Sequence, residues 1–135
     1  MSASTSVDEA AIRSVMSSYE AALNASSTEA AMPLYTHDGV FMAPNNPSAV
    51  GKAALRQAYD AVFKAITLKV KFAIAELVVM APEWAFVRTN SAGTQKVNAT
   101  GATSAEANQE LFIFKKGDDG EWRIARYAFS TTNPV

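Results

Sequence analysis

The fold is decided by residues 108–133, NQELFIFKKGDDGEWRIARYAFSTTN. This stretch predicts two long strands joined by a turn at residues 117–120, where glycine and aspartate are concentrated. Glu110 lies at the two-residue period of a strand between Asn108 and Phe112, so these three side chains share one face. A buried carboxylate is costly unless it is paired, hydrogen-bonded or protonated. We therefore expect this face of the hairpin to line a cavity.

Length and composition predict one domain, residues 1–135, with one hydrophobic core. The chain has 135 residues, of which 49% are hydrophobic and 19% charged, and this is the size of a single domain. Twelve Lys and Arg against thirteen Asp and Glu leave a net charge of −1. Because the basic surface of a nucleic-acid-binding protein is missing, we expect no DNA or RNA partner.

The residue types that bind metals are scarce. The chain contains no cysteine and a single histidine, His37, so zinc sites built on sulfur and sites with several histidines are not predicted. The acidic residues are scattered along the sequence. We expect no metal and no other cofactor.

The N-terminal stretch MSASTSVDEAAIRS lacks the basic start and apolar core of a signal peptide. The longest apolar run, residues 77–81, is too short to span a bilayer. These two features favour a cytoplasmic protein without a membrane partner.

Three helices are predicted in the first half of the chain. Ser6 is followed three residues later by a glutamate, a capping-box pattern that predicts the start of a helix ending near residues 24–25. Ser26 repeats the pattern for a short second helix, which Pro33 should break because proline lacks the amide donor. Gly51 opens a third helix, whose apolar stripe requires a surface to cover.

Strands dominate the rest of the sequence. The apolar run 40–43 and the turn-forming PNNPS that follows it predict a small hairpin. From Thr67 the hydrophobic period changes to two, and turns around Pro82, residues 100–103 and Gly117 divide the remainder into four long strands. Helices followed by mostly antiparallel strands predict an α+β domain with a sheet curved around the helices.

Some of these strands are apolar on both faces. Residues 77–80 and 111–114 carry consecutive apolar side chains, so one face can pack on the helices while the other presents an apolar patch. We expect this patch to form a homodimer through the sheet.

Three motifs indicate a family. The helix ending LYTHDGVFMAP, the strand NQELFIF and the final WRIARYAFSTTNP resemble the SnoaL-like and NTF2-like superfamily, the cystatin-like α+β cones, and are similar to its SgcJ/EcaC and DUF4440-type small proteins. This resemblance covers nearly the whole chain. It implies a strongly curved, mixed and mostly antiparallel sheet forming a cone with an internal pocket, usually in a homodimer. The superfamily includes isomerases, polyketide cyclases, dehydratases, epoxide hydrolases and non-catalytic binding domains, so fold alone does not choose the activity.

The resemblance can be carried over residue by residue. YEAALNA, residues 19–25, resembles the first helix of the ketosteroid isomerases, which implies that Tyr19 is an oxyanion donor and that Glu110 lies at or next to their protonated acid. The general base of those enzymes aligns with Ala43, so steroid isomerisation by that mechanism is not predicted. Asn108 stands where the epoxide hydrolases have an arginine, so their activity is not expected either.

Two candidate site residues have alternative interpretations. Tyr19 lies on the apolar stripe of its helix, where it can be a packed core residue or reach the pocket. If Trp122 and Ile124 face the core, Arg126 alternates to the same side. There it could form a structural pair with Glu110 or a polar group at the base of the pocket.

Other positions carry weaker predictions. His37 could serve as a general base, but its setting THDG favours a solvated turn. Trp84, Phe86 and Arg88 share one face of a strand, which points either inward or towards the dimer partner.

The sequence thus predicts a pocket that binds or transforms a small hydrophobic carbonyl or polyketide-like compound without a cofactor, with Tyr19 and Glu110 as the acid–base groups. The alternative is a non-catalytic ligand-binding domain or a structural dimerisation domain. The predicted ligand-binding side chains are Asn108, Arg126, Met42, Tyr59, Phe63 and Phe112.

Overall fold

The computed structural model describes the backbone of residues 3–133 and the side chains from Thr5 onward. Within that range the helices are α1 (Ala3–Asn24), α2 (Thr28–Ala31) and α3 (Lys52–Ala65), and a 3₁₀ turn (Met32–Leu34) follows α2. The strands are β1 (Tyr35–Met42), β2 (Ala49–Val50), β3 (Ile66–Ala81), β4 (Trp84–Val97), β5 (Thr103–Lys116) and β6 (Trp122–Thr131). The predicted α+β order of helices first and long strands last is confirmed.

All six strands form one mixed sheet in the order β2-β1-β6-β5-β4-β3. β3 to β6 pair as an antiparallel meander, β1 and β2 form the small hairpin expected before α3, and β1 runs parallel to β6. A Cβ atom on Gly93 would lie 1.9 Å from the carbonyl oxygen of Lys69, so glycine permits a close approach of the β3 and β4 backbones.

Two helix starts differ from the sequence prediction. α1 begins at Ala3, so Ser6 lies inside the helix and does not cap it, since no residue between these two positions breaks a helix. Ser27, one residue after the predicted cap, accepts the hydrogen bond from the Ala30 amide at 3.1 Å. Ser26 instead adopts φ +53° in the turn that ends α1. The break at Pro33 and the start of α3 after Gly51 are confirmed.

α1 covers the free edge of the sheet at β3. The Asn24 side-chain amide donates to the Val70 carbonyl at 2.8 Å and accepts from the Val70 amide at 2.7 Å. The Glu20 carboxylate accepts from the Phe72 amide at 2.7 Å. These side chains satisfy backbone groups that an edge strand otherwise leaves unpaired, and they hold α1 over the inner face of the sheet.

The core lies between the helices and this inner face. Buried side chains of α1 and α3 pack against inward residues of the long strands, among them Val87, Phe112, Phe114 and Ile124. No helix among residues 3–133 is long and apolar enough to cross a membrane.

β6 contains a bulge that changes which side chains face inward. Ile113 pairs with Arg126, but the next residue of β5 pairs with Ile124, so Ala125 is an extra residue in β6. A bulge of this kind shifts the alternation by one position. Trp122 and Ile124 face the core before it, and Tyr127 faces the core after it.

Candidate functional site

A cavity of about 270 Å³ lies between the inner face of the sheet and the helices. Most of its wall is aliphatic or aromatic and comes from α1, α3, β1, β3 and β6. The polar side chains that line it are Tyr19, Asn46, Tyr59, Ser91, Gln95, Glu106, Asn108, Glu110 and Tyr127. An apolar cavity with a few converging polar groups is typical of a small-molecule site.

Three tyrosine hydroxyls form a hydrogen-bonded chain beside the cavity. The Tyr59 hydroxyl lies 2.6 Å from that of Tyr19 and 2.6 Å from that of Tyr35. All three side chains are at most 1% exposed. Tyr19 and Tyr59 line the cavity, whereas Tyr35 lies behind them.

Burial determines the protonation state of the three tyrosine hydroxyls. Loss of hydration raises the pKa of Tyr19, Tyr35 and Tyr59 well above the ordinary value of a tyrosine. The hydroxyls therefore remain protonated at neutral pH. Each hydroxyl carries one proton and two lone pairs, so the central Tyr59 either donates one bond and accepts the other or accepts both. If Tyr35 donates to Tyr59 and Tyr59 to Tyr19, Tyr19 can donate its proton either to a ligand in the cavity or to the neighbouring Tyr127 hydroxyl.

Aromatic packing holds Tyr19 in place. Its ring makes edge-to-face contacts with Tyr59, Phe72, Phe112 and Tyr127, with centroids 5.6 to 6.3 Å apart. The structure therefore agrees with both interpretations of Tyr19. This side chain is packed in the core, and it also lines the cavity.

Glu110 is buried in the cavity wall and is held by two hydroxyl groups. Thr89 Oγ1 donates to one carboxylate oxygen at 2.6 Å, and Ser91 Oγ donates to the other at 2.5 Å. Thr89 pairs directly with Glu110 across β4 and β5, and Ser91 pairs with Asn108, so the inner face of β4 supplies both donors. Glu110 is 4% exposed.

The pKa of Glu110 reflects two opposing effects. Burial raises it above its ordinary value, while the hydrogen bonds from Ser91 and Thr89 lower it and thereby offset part of the increase. No ion pair involving Glu110 is found among residues 3–133. Hydroxyl groups and not a cation thus stabilise this carboxyl.

Arg126 does not meet Glu110, and the predicted pairing is wrong. The bulge at Ala125 turns Arg126 to the outer face of the sheet, where it is exposed. Its guanidinium donates to the Asp38 carbonyl at 3.3 Å and to the Ala125 carbonyl at 2.7 Å. Arg126 is therefore neither a partner of Glu110 nor a side chain of the cavity.

The predicted wall residues separate into two groups. Tyr59 and Asn108 line the cavity as expected. Met42 is 41% exposed because the alternation of β1 places its neighbour Phe41 on the inner face instead. Phe63 packs against the Tyr59 ring, and neither it nor Phe112 is part of the cavity wall.

Phe112 lies one layer deeper than the cavity. It is fully buried and stacks on the Tyr127 ring with centroids 4.0 Å apart. It supports the cavity wall without reaching its surface.

The structure also shows where His37 and the strand face with Trp84, Phe86 and Arg88 lie. His37 is exposed, in agreement with a solvated side chain, but it lies in strand β1 and not in the turn that THDG predicted. Trp84 and Arg88 are also exposed, while their neighbours Ala85 and Val87 are fully buried, so the face with Trp84, Phe86 and Arg88 points away from the cavity.

Ala43 lines the cavity where the resemblance to the ketosteroid isomerases would require the general base. The carboxyl groups in the cavity wall are instead those of Glu106 and Glu110 on β5. In the part of the chain that the structure describes, no group of three or more His, Asp or Glu side chains is placed to bind a metal.

Tyr35, Thr89 and Ser91 are functional-site residues that the sequence interpretation missed. The chain has four tyrosines, and all four side chains are buried. Buried hydroxyls need partners, and those of Tyr19, Tyr35 and Tyr59 find them in one another. Thr89 and Ser91 share the inward phase of β4 with Val87, a signal that alternation alone could have provided.

The model of the SnoaL-like domain family matches residues 15–127. The chain is also 38% identical to a ketosteroid isomerase-like protein from Erwinia carotovora atroseptica, with a TM-score of 0.89 over 93% of this chain and 96% of the other. The chain therefore belongs to the SnoaL-like family, as the sequence motifs suggested.

Two more solved structures are similar to this chain. A conserved protein from Planctomyces limnophilus is 25% identical, with a TM-score of 0.81 over 93% of this chain and 98% of that one. An NTF2-like superfamily protein from Salmonella enterica serovar Typhimurium is 16% identical, with a TM-score of 0.84 over 97% and 95% of the two chains, and shows the fold alone. No curated protein matches this chain significantly.

Proposed function

We propose that the cavity binds or transforms a small hydrophobic carbonyl or polyketide-like compound without a cofactor. The chain of tyrosine hydroxyls that ends at Tyr19 is the observation that carries this proposal. A carbonyl oxygen accepts a hydrogen bond and cannot donate one, so it complements a donor at the wall of an apolar cavity. The 38% identity to a ketosteroid isomerase-like protein supports the same class of ligand.

In this proposal Tyr19 donates to the carbonyl oxygen of the ligand. Tyr59 and Tyr35 donate in sequence behind it, and each bond polarises the next, which strengthens the last donor. Such a donor stabilises negative charge that develops on the oxygen during enolisation, and it does so best where water is excluded.

Glu110 is the acid–base group of this proposal. Because burial raises its pKa towards neutrality, it can hold a proton more readily than an exposed glutamate, as a general acid or base requires. Ser91 and Thr89 fix the position of its carboxyl group. We assign Asn108 to ligand positioning, since its side chain lines the same cavity.

The alternative is binding without turnover. It is favoured by Ala43, which supplies no carboxylate at the position of the base. A purely structural role is less well supported, because the helices and the sheet leave an apolar cavity unfilled.

Binding and proton transfer can be tested separately with 2-acetylnaphthalene as the probe. Calorimetric titration should give measurable affinity, and Tyr19→Phe should reduce it about fivefold, within the range of one hydrogen bond. Tyr35→Phe, which removes the hydroxyl farthest from the cavity, is the matched control and should reduce affinity less. No binding of a panel of aromatic and aliphatic ketones at millimolar concentration would refute the proposal.

Turnover is measured by proton exchange. In D₂O, an acid–base enzyme should incorporate deuterium at the α-carbon of the bound ketone, which NMR detects as loss of the α-proton signal. Binding without exchange would assign the chain to the non-catalytic alternative.

We also propose a homodimer through the outer face of the sheet. The large apolar side chains exposed there are Val78, Trp84 and Leu111, which are 39 to 45% exposed. Apolar patches of this kind mark interaction surfaces. Arg88 and Glu76 also pair on this face at 2.9 Å, so a second copy related by a two-fold axis can offer each charge its opposite.

A further inference from the structure

The cavity contains acidic side chains but no basic one. Among the described residues that line it, Glu106 and Glu110 are the carboxylic acids, and no Lys, Arg or His side chain takes part. A site for an anionic ligand normally supplies a cation or a set of backbone amides. This distribution of charge bears on which ligands can enter.

Glu106 lies nearer to solvent than Glu110. Glu106, Asn108 and Glu110 follow one another at two-residue spacing on the inner face of β5. Their burial increases in that order, from half-buried Glu106 to 9% exposed Asn108 and 4% exposed Glu110. A ligand that enters along β5 therefore passes Glu106 before it reaches Glu110 and Tyr19.

The Glu106 carboxylate is oriented but not neutralised. Asn108 Nδ2 donates to Glu106 Oε1 at 2.6 Å, which fixes the side chain against the cavity wall. Across residues 3–133, no Lys or Arg forms an ion pair with Glu106. Its negative charge is thus directed at the cavity from a defined position.

We propose that Glu106 determines the charge class of the ligand: the cavity accepts uncharged or positively charged compounds and excludes carboxylates. This inference rests on the proposed function of the same cavity. An anion beside Glu106 would meet like charge and lose its hydration without gaining a cationic partner. Exclusion by an unfavourable charge is a common source of specificity.

A positively charged ligand would have favourable contacts instead. The rings of Phe41, Tyr59 and Tyr127 line the cavity, and Phe41 stacks between the other two with interplanar angles of 16° and 12°. Because the faces of these rings are stacked on one another, the attraction for a cation comes chiefly from the opposite charge of Glu106. We therefore expect an ammonium group to be tolerated where a carboxylate is rejected.

Three naphthalene probes of nearly equal size test this inference by calorimetric titration at neutral pH. They are 2-naphthoate, which is anionic, 2-acetylnaphthalene, which is neutral, and 2-(aminomethyl)naphthalene, which is cationic. The wild-type protein should bind the neutral and cationic probes at least tenfold more tightly than the anion, a difference of 1.4 kcal/mol or more.

Variants of Glu106 test whether this residue causes the weaker binding of the anionic probe. Glu106→Gln should reduce the ratio of neutral to anionic affinity to less than threefold, and Glu106→Lys should favour the anion. Using the ratio cancels any loss of affinity common to all probes. Glu121→Gln removes the same charge from the β5–β6 turn at the other end of β5 and should leave the ratio as in the wild type.

The outcomes separate the two proposals. Equal binding of all three probes, or a ratio unchanged by Glu106→Gln and Glu106→Lys, would overturn the role of Glu106 while leaving the carbonyl-binding proposal in place. Failure of all three probes to bind the wild-type protein, together with failure of the ketone panel, would overturn both proposals.

Discussion

Replacing Glu110 with Gln tests how the charge of the buried carboxyl group affects the stability of the fold. Thr89 and Ser91 each donate a hydrogen bond to it, and a glutamine can keep both contacts if its amide nitrogen donates to one hydroxyl and its oxygen accepts from the other. The volume of the side chain is almost unchanged. The substitution therefore removes a charge without leaving a cavity.

Two opposing effects set the expected change in the free energy of unfolding. Hydrogen bonds to a charged group contribute about 1.5–3 kcal/mol and those between neutral groups about 0.5–1.5 kcal/mol, so two weakened bonds cost about 2–3 kcal/mol. Against this, glutamine avoids the desolvation of a carboxylate, and the raised pKa of Glu110 shows that this desolvation outweighs the two hydrogen bonds. We expect a net change below about 1 kcal/mol at neutral pH.

The pH dependence provides a sharper test. The pKa of Glu110 is raised above its ordinary value of 4.5 in the folded state. Its contribution to stability is therefore complete below pH 4.5 and is lost as the pH rises through the folded-state pKa. Since glutamine does not titrate, the stability of the wild type relative to Glu110→Gln should decrease from pH 4 to pH 7.

Urea denaturation of both proteins at matched concentration over this pH range measures the difference. Glu106→Gln is the matched control, because it makes the same chemical change at a half-buried position on the same face of β5. A loss of 3 kcal/mol or more in Glu110→Gln at neutral pH, the cost of breaking a buried ion pair, would refute the reasoning. So would a stability difference that increases with pH.

Three further predictions follow from other parts of the molecule. Tyr59→Phe should lower the free energy of unfolding by about 2–4 kcal/mol, because it removes one hydrogen bond from each of two buried hydroxyls; Tyr35→Phe, measured by the same urea denaturation, should cost about half as much. The protein should sediment at twice its chain mass at micromolar concentration, and Leu111→Arg on the outer face should return it to one chain mass; a wild-type monomer would remove the basis for the dimer. Treatment with a chelator should leave the melting temperature unchanged, and a decrease of several degrees would reveal a metal site.

Much of the fold was predictable because it depends on local patterns. The change of hydrophobic period at Thr67 and the turns at Pro82 and Gly117 predicted the long strands, and Pro33 predicted the end of the second helix. These signals act over a few residues, so they can be recognised without tertiary contacts. The family resemblance then supplied the expectation of a cone, which the similar solved structures support.

The candidate site was predictable only in part. Tyr19, Asn108 and Glu110 line the cavity as their phases in α1 and β5 suggested. Arg126 was misplaced because strict alternation was assumed through β6, whereas Ala125 forms a bulge there. A bulge depends on how two strands pair, and one strand read alone does not show it.

The sequence by itself determined the α+β class, the order of its elements and the inward phase of Glu110, because each depends on periodicity and turn chemistry along the chain. The tertiary structure decided what surrounds Glu110. Cross-strand register brought the hydroxyls of Thr89 and Ser91 to its carboxyl group in place of Arg126. The packing of α1, β1 and α3 likewise joined three tyrosines that are far apart in sequence, since contacts between elements are set by the geometry of their packing and not by local spacing.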